Sequence, residues 1–471
     1  MEPVKTEVVV VGGGPGGYAA AFYAADLGKK VSLIEMDRLG GVCLNRGCIP
    51  SKALLHATKM IAEARESANR GISFGSPTID LEKLRSWKDS ILTKLTGGIG
   101  QLAKARGVEV HYGKGYFEDS NTIRVETADG QRYLRYDHAV VAVGSIPALP
   151  KAFDLGNPRI MTSTEALEVP DIPARLLVVG GGYIGMELGT VYALLGSEVH
   201  VVEAADAMLA GADPDLARPV LLAAQKKFKS MRFKAKVLSM ATAGKQIRVV
   251  VEHEGKQNEE LFDRVLVAVG RRPIDMDLGF ENTKVQRDER GFVKVSETLA
   301  TDDPCIYAIG DIVGGAMLAH KAAKEARVAI QAIMGETAPT REFVVPAVVF
   351  TEPELAWCGL TEAEAKAKGL AVEIAKFPWG ASGRALTFDR PEGLTKLVIE
   401  AGTERILGVG LVGHGAGELI GEGVVAVEMG ATVTDLAECV HPHPTLSETL
   451  MEAAELYFGH ATHAYQRRKA H

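Results

Sequence analysis

One stretch of this chain occurs twice. The segment "VVVVGGGPGGYAAAFYAADLGKKVSLIE", residues 8–35, aligns with "LVVGGGYIGMELGTVYALLGSEVHVVE", residues 177–203. Gly12, Gly14, Gly17, Gly28 and Glu35 map onto Gly180, Gly182, Gly185, Gly196 and Glu203 at a constant offset of 168. Each copy reads as a β-branched strand, a Gly-x-Gly-x-x-Gly turn, an apolar helix closed by glycine, and a second strand ending in glutamate. The spacing has a mechanical reason. The first glycine makes a tight turn, the second lets backbone approach a pyrophosphate, and the third lets helix and strand pack closely; the helix N-terminus then presents free N–H groups to the phosphates. A single such turn is weak evidence for a nucleotide site, but two copies, each with an acid 23 positions after the first glycine, point to two dinucleotide sites.

At the end of the second strand a carboxylate accepts hydrogen bonds from ribose hydroxyls. The plainer role for Glu35 and Glu203 is a solvated strand end. Glu203 would repel a 2′-phosphate, and the next cationic residue is Arg218, so the second site suits NAD better than NADP. Two further apolar runs, "HAVVAVGS" at 138–145 and "RVLVAVGRRP" at 264–273, end at Gly144 and Gly270 and read as buried parallel strands. A third, "CIYAIGD" at 305–311, ends in Gly310–Asp311. Asp311 either reaches a ligand hydroxyl or caps the next helix.

The expected fold is α/β: two Rossmann-like dinucleotide-binding domains plus a C-terminal α+β interface domain. The 471 residues divide as 1–149 (first dinucleotide domain), 150–275 (second), 276–345 (a central domain completing the first site) and 346–471 (interface domain). Segments 146–175 and 271–300, rich in Pro, Asp and Arg, read as crossovers. From residue 346 strands alternate with amphipathic helices and no glycine fingerprint recurs.

The charge balance excludes other classes. With 53 Lys plus Arg against 60 Asp plus Glu, and no basic tract, nucleic acid is not an expected partner. The apolar stretch 176–196 has the length of a membrane span. Its three consecutive glycines would cost a helix about 1 kcal/mol each, whereas strand, turn and helix explain the same letters without penalty. No membrane association is expected. Five cysteines and an apolar strand starting at residue 8 suit a cytoplasmic protein; a mitochondrial matrix protein stripped of its targeting peptide reads the same.

Two of those cysteines, Cys43 and Cys48, sit five apart in "GGVCLNRGCIPSK". On a regular helix such positions lie ~8.6 Å apart, beyond the ~7 Å a disulfide tolerates, so a bridge needs a bent backbone. Gly40, Gly41, Gly47 and Pro50 supply irregularity, and a small constrained ring would be easily reduced, which suits catalysis. Two reduced buried thiols, or half of a zinc site completed by the histidines of "HPHPTLSE" at 441–448, are the alternatives. Against zinc, His441 and His443 are only two apart.

Together, "GGVCLNRGCIPSKALL", both fingerprints, the Gly310–Asp311 strand end and "HPHPTLSE" resemble the flavoprotein disulfide reductases (class I pyridine nucleotide-disulfide oxidoreductases), most closely their dihydrolipoamide-oxidising branch, over nearly the whole chain. The resemblance implies a homodimer with FAD on the first fingerprint (Gly12, Gly14, Gly17, Glu35, with Lys52, Gly144 and Asp311) and NAD on the second (Gly180, Gly182, Gly185, Glu187, Glu203, Gly270). It implies no metal. Cys48 becomes the thiol against the flavin and Cys43 the interchange thiol. Lys52 lies near flavin N5, Glu187 pairs with that lysine, and Asp311 bonds the ribityl chain. The implied electron donor is a dihydrolipoyl group on a lipoyl-bearing acyltransferase (E2) or on a glycine-cleavage carrier protein, expected as a separate chain.

Pro442 and Pro444 exclude a helix before Thr445, and Thr445-x-x-Glu448 has the form of a capping box. Glu448 is then either a helix cap or the carboxylate that holds the second ring nitrogen of His443, the expected base; His441 takes a structural role. Within the family, mercuric reductases carry a C-terminal cysteine pair, whereas the last cysteine here is Cys439. Glutathione-type reductases would want arginine near residue 203, where this chain has "EAADAMLA". Ile274 and Asp275 after "GRRP" depart from the family's frequent asparagine. A flavin-binding interaction protein without turnover is the rival from another class.

Overall fold

The computed structural model describes residues 3–336 and 343–465. The repeat becomes two sheets of the same design. In the first, Val8–Val11 is the central strand, paired in parallel with Val31–Glu35 on one side and His138–Val141 on the other. Glu109–Tyr112 and Ile306–Ala308 extend its edges. In the second, Arg175–Val179 is flanked by Glu198–Val202 and Arg264–Val267, with Ser230–Arg232 and Ile160–Met161 outside. Central strands covered on both faces must be apolar throughout. Val8, Val9, Val10 and Val11 are all buried, as are Leu176 to Val179. Each sheet carries a companion: antiparallel strands over 114–135, with Val4–Lys5 added in parallel at the edge, in the first copy, and antiparallel strands over 236–262 in the second. The stretch that mimicked a membrane span is broken into Arg175–Val179 and the helix Tyr183–Leu195, and no helix among the described residues is long and apolar enough to cross a membrane.

The glycines explain why the helices sit so close. Gly12 and Gly180 adopt φ of +103° and +110°, which only glycine takes freely. A Cβ on Gly17 would lie 1.7 Å from Gly12 O, and one on Gly185 would lie 2.1 Å from Gly180 O, so the third glycine of each fingerprint is required for α1 (Pro15–Asp26) and its twin Tyr183–Leu195 to approach their strands. The segment after residue 276 does not fold apart. Its strand Ile306–Ala308 completes the first sheet, and its helix Ala319–Ile333 packs on α1, where Ala322 Cβ would stand 3.2 Å from a Cβ at Gly16. The crossovers meet as an antiparallel pair, Arg271–Pro273 against Ser145–Pro147. From residue 347 the chain forms a five-stranded antiparallel sheet whose core is closed by Trp379, Leu397, Leu411, Leu450 and Ala453.

Candidate active site

The two cysteines lie where one short helix turns into a long one. Helix α2 (Gly41–Arg46) starts from Gly40 in the left-handed region and stops at Gly47; α3 (Cys48–Glu66) starts at the next residue. A Cβ on Gly47 would stand 3.0 Å from Val42 O and 3.3 Å from Cys43 Cα, so glycine lets the chain fold back and set Cys48 beside Cys43. The bend is thus at Gly47. Pro50, expected to add irregularity, instead lies in the first turn of α3, where no intrahelical N–H is missed.

Both are free thiols, and a hydrogen bond between their side chains couples them. That bond is the main reason the Cys48 thiol is lowered to about 7. Burial opposes the shift, and the Lys52 ammonium, one turn along α3, reinforces it. The same bond pushes Cys43 well above the ordinary thiol range, with burial adding to it. The two shifts run in opposite directions, so Cys48, at a helix N-terminus and beside Lys52, is the thiol that ionises first.

Both cysteines line one cavity, which runs from the first fingerprint (Gly12, Gly14, Glu35) past Gly144 and Asp311 to Lys52. Lys52 Nζ is 2.8 Å from Glu187 Oε2, a carboxylate only 3% exposed. Glu187 belongs to the helix of the second fingerprint, yet it turns toward the cysteine cavity and lines it. Asp311 does not cap the following helix. Its carboxylate accepts from Ser145 Oγ, and Arg271 holds Ser145 through Nε to Oγ (2.8 Å) and Nη2 to the carbonyl (2.7 Å). Ser145 and Arg271 stood inside quoted motifs without a role; only the antiparallel crossover pairing brings them to Asp311.

Glu35 and Glu203 are held alike. Glu35 accepts from Gly13 N (2.7 Å) and Asp37 N (2.8 Å), and Glu203 from Gly181 N (2.5 Å) and Ala205 N (2.7 Å). Each carboxylate therefore stiffens its glycine turn and keeps acceptor capacity for a ligand hydroxyl. The cradles are open where a ligand must come near. A Cβ on Gly14 would find nothing closer than Gly41 Cα at 3.8 Å, and one on Gly144, Gly182 or Gly270 would meet nothing within 4 Å. The first cradle fits a flavin dinucleotide: helix N–H groups for phosphates, Glu35 and Asp311 for hydroxyls, and a cation beside a thiolate at the far end.

His443 does not line this cavity and is two-thirds exposed. Its Nδ1 is 2.7 Å from Glu448 Oε1, while Glu448 Oε2 accepts from Thr445 N at 2.7 Å. One carboxylate thus does both things the sequence offered as alternatives. The capping box is only half made, because the helix Glu448–Phe458 has Ser447 at its N-cap and Thr445 Oγ1 donates to Pro442 O. His441 is fixed between Glu422 (2.7 Å) and Cys439 O (2.9 Å). A second imidazole–carboxylate pair, His463 with Glu452 at 2.5 Å, stacks beside His443 with ring centroids 6.3 Å apart. Nothing in the sequence singled it out.

Among the described residues, the one group of three side chains close enough to share a metal ion is Asp213, Asp215 and Glu362. The buried Lys396 ammonium sits among them, 2.7 Å from Asp213, and Lys376 lies 2.7 Å from Asp215, so two ammonium groups already offset most of their charge. The cysteines and the histidines of "HPHP" form no such group.

Residues 6–326 match the family described as pyridine nucleotide-disulphide oxidoreductase, and residues 345–454 match that family's dimerisation domain. The chain is 45% identical over 463 residues to a dihydrolipoyl dehydrogenase of Vibrio parahaemolyticus, covering 98% of this chain and 97% of that one. It is 43% identical over 461 residues to a dihydrolipoyl dehydrogenase of Staphylococcus aureus, covering 98% of each. Among solved structures, LpdA from Mycobacterium tuberculosis superposes with a TM-score of 0.88 at 29% identity, over 96% of this chain and 99% of that one. The HOCl-induced flavoprotein disulfide reductase RclA from Escherichia coli gives 0.85 at 26% identity, over 96% and 99%.

Proposed function

The chain belongs to the pyridine nucleotide-disulphide oxidoreductases, and from that membership we propose that Cys43 and Cys48 carry electrons from protein-bound dihydrolipoyl groups toward FAD and NAD⁺. It is an oxidoreductase of the dihydrolipoyl dehydrogenase kind, with FAD and NAD as its cofactors. That reading prevails over glutathione- or mercuric-reductase-like alternatives, because full-length relatives at 43–45% identity bear that name.

One observation carries the assignment of roles: Cys43 and Cys48 line the cavity reached from the first fingerprint, and the Lys52 ammonium, one turn along α3 from Cys48 and paired with Glu187, lines the same cavity. In the oxidised protein, a dihydrolipoyl thiolate attacks Cys43 of the Cys43–Cys48 bridge. A mixed disulfide forms at Cys43 and Cys48 leaves as a thiolate. The second lipoyl thiol, once deprotonated, displaces Cys43 and closes the lipoyl ring, so the substrate is oxidised by two electrons and the cysteines are reduced by two. Of the two thiol protons, His443 of the partner subunit takes one, with Glu448 holding its Nδ1 and supporting the imidazolium, and the other ends on Cys43 as that sulfur leaves. Support for a base supplied across a dimer comes from the matched dimerisation domain and from the fact that His443 does not line its own chain's cysteine cavity. Lys52 and Glu187 hold the charge balance beside the thiolate. Bound FAD supplies a two-electron acceptor for the dithiol and a hydride source for NAD⁺. The dithiol donor is a lipoyl group on a separate carrier, either an acyltransferase or a glycine-cleavage carrier protein.

The test is spectroscopic. Purified protein shows a flavin spectrum and, on anaerobic addition of dihydrolipoamide, a long-wavelength band that is absent in Cys48→Ser; NAD⁺ then discharges it with formation of NADH. A colourless protein with bound zinc, or the same band in Cys48→Ser, would refute the assignment.

A further inference from the structure

Phe350 stands in the turn between the interface strands Ala347–Val349 and Glu354–Gly359, where three parts of the chain meet. Its N–H donates to Glu187 Oε1 at 3.0 Å, while Lys52 Nζ lies 4.3 Å from the centroid of its ring. The other oxygen of Glu187 receives Lys52. Two residues further on, Glu352 pairs with Lys59 Nζ at 2.5 Å, and the Glu352 carbonyl accepts from Lys227 at 2.9 Å. Lys52 and Lys59 are seven positions apart and so share one face of α3. The turn therefore grips at two points the helix whose first residue is Cys48.

We propose that Phe350 is a positioning residue: the interface-domain turn holds Lys52 under its ring, and Glu187 on its N–H, so that the lysine's charge bears on the Cys48 sulfur and on the flavin site. The proposal rests on the reading of Cys48 as the thiolate. The charged and titratable groups facing that sulfur are Cys43 from α2, Lys52 from α3, and Glu187 and Tyr183 from the helix Tyr183–Leu195. Of these groups of the same chain, Lys52 alone is cationic; His443 of the partner subunit, the proposed base, titrates beside the pair too, and none of the Phe350 variants alters it. An ammonium over an aromatic face is held by the ring's quadrupole, a pull that an aliphatic side chain does not exert. The N–H contact to Glu187 survives any substitution except proline. A side-chain variant therefore removes the ring's effect by itself.

The experiment uses the flavin-loaded protein, reduced by two electrons under anaerobic conditions, with the long-wavelength absorbance followed against pH. In Phe350→Leu the midpoint moves up by about half a pH unit, the size of a modest cation–π contact, and Phe350→Tyr returns it to the wild-type value. Phe350→Met, also without a ring, gives the same shift and stands in if Phe350→Leu does not fold. Unchanged midpoints in the ringless variants, with or without a lower melting temperature, would overturn the proposal, as would a shift that Phe350→Tyr fails to reverse. Failure of the underlying reading looks different: a wild-type protein with no such band, or one that keeps it in Cys48→Ser.

Discussion

Replacing Gly185 by alanine puts a methyl carbon 2.1 Å from Gly180 O, whereas such contacts in proteins do not fall below 3.0 Å. The helix Tyr183–Leu195 must then move off its strand by roughly 1 Å, because the opposing atom is backbone and cannot rotate away. Overpacking of this kind costs about 1–3 kcal/mol, which the fold tolerates against a total of about 5–15 kcal/mol. The nucleotide cradle tolerates it far less, since a displacement of about 1 Å is enough to lose ~10²-fold in rate. Gly185→Ala should therefore keep its flavin and lose about 10²-fold in kcat/KM for NAD⁺, while bleaching by dihydrolipoamide persists but slows, because Glu187 on the same helix pairs with Lys52. The equivalent change in the first cradle, Gly17→Ala, brings the methyl to 1.7 Å from Gly12 O and should cost the flavin itself. The assay is flavin content after gel filtration, stopped-flow bleaching with dihydrolipoamide, and steady-state NADH formation. If Gly185→Ala lost flavin, or if Gly17→Ala kept it and failed only with NAD⁺, the assignment of one dinucleotide to each copy would be wrong.

His443→Gln keeps flavin and visible spectrum and lowers lipoamide turnover by about 10²–10⁴-fold, as loss of a general base does; near-normal activity would remove His443 from the mechanism. Glu352 carries a pH prediction. Burial by itself would raise its carboxyl, but the hydrogen-bond contact with His414 and the charge of Lys59 win and lower it from 4.5 to about 2. A lowered folded-state value gives stability that is present above about 4.5 and lost as pH falls toward 2, worth roughly 3 kcal/mol at most. Wild type should thus lose more stability than Glu352→Gln between pH 5 and pH 2 in urea unfolding, and parallel curves would rule this out.

The two cradles were legible from the residues alone, because their glycines, strands and terminal acids are neighbours along the chain and obey local sterics. The constant offset of 168 reappears as the same five-strand sheet built twice, with Gly17 and Gly185 each against the first glycine of its own turn. The cysteine pair and the His443–Glu448 contact were legible for the same reason, being five residues apart in each case. The tertiary structure decided whatever joins distant segments. The helix of the second cradle sends Glu187 to Lys52, 135 residues away. The crossover pairing delivers Arg271 and Ser145 to Asp311, and the interface turn lays Phe350 against Lys52. Such contacts leave no periodic trace in sequence, because they depend on how separately formed elements pack rather than on what each residue prefers beside its neighbours.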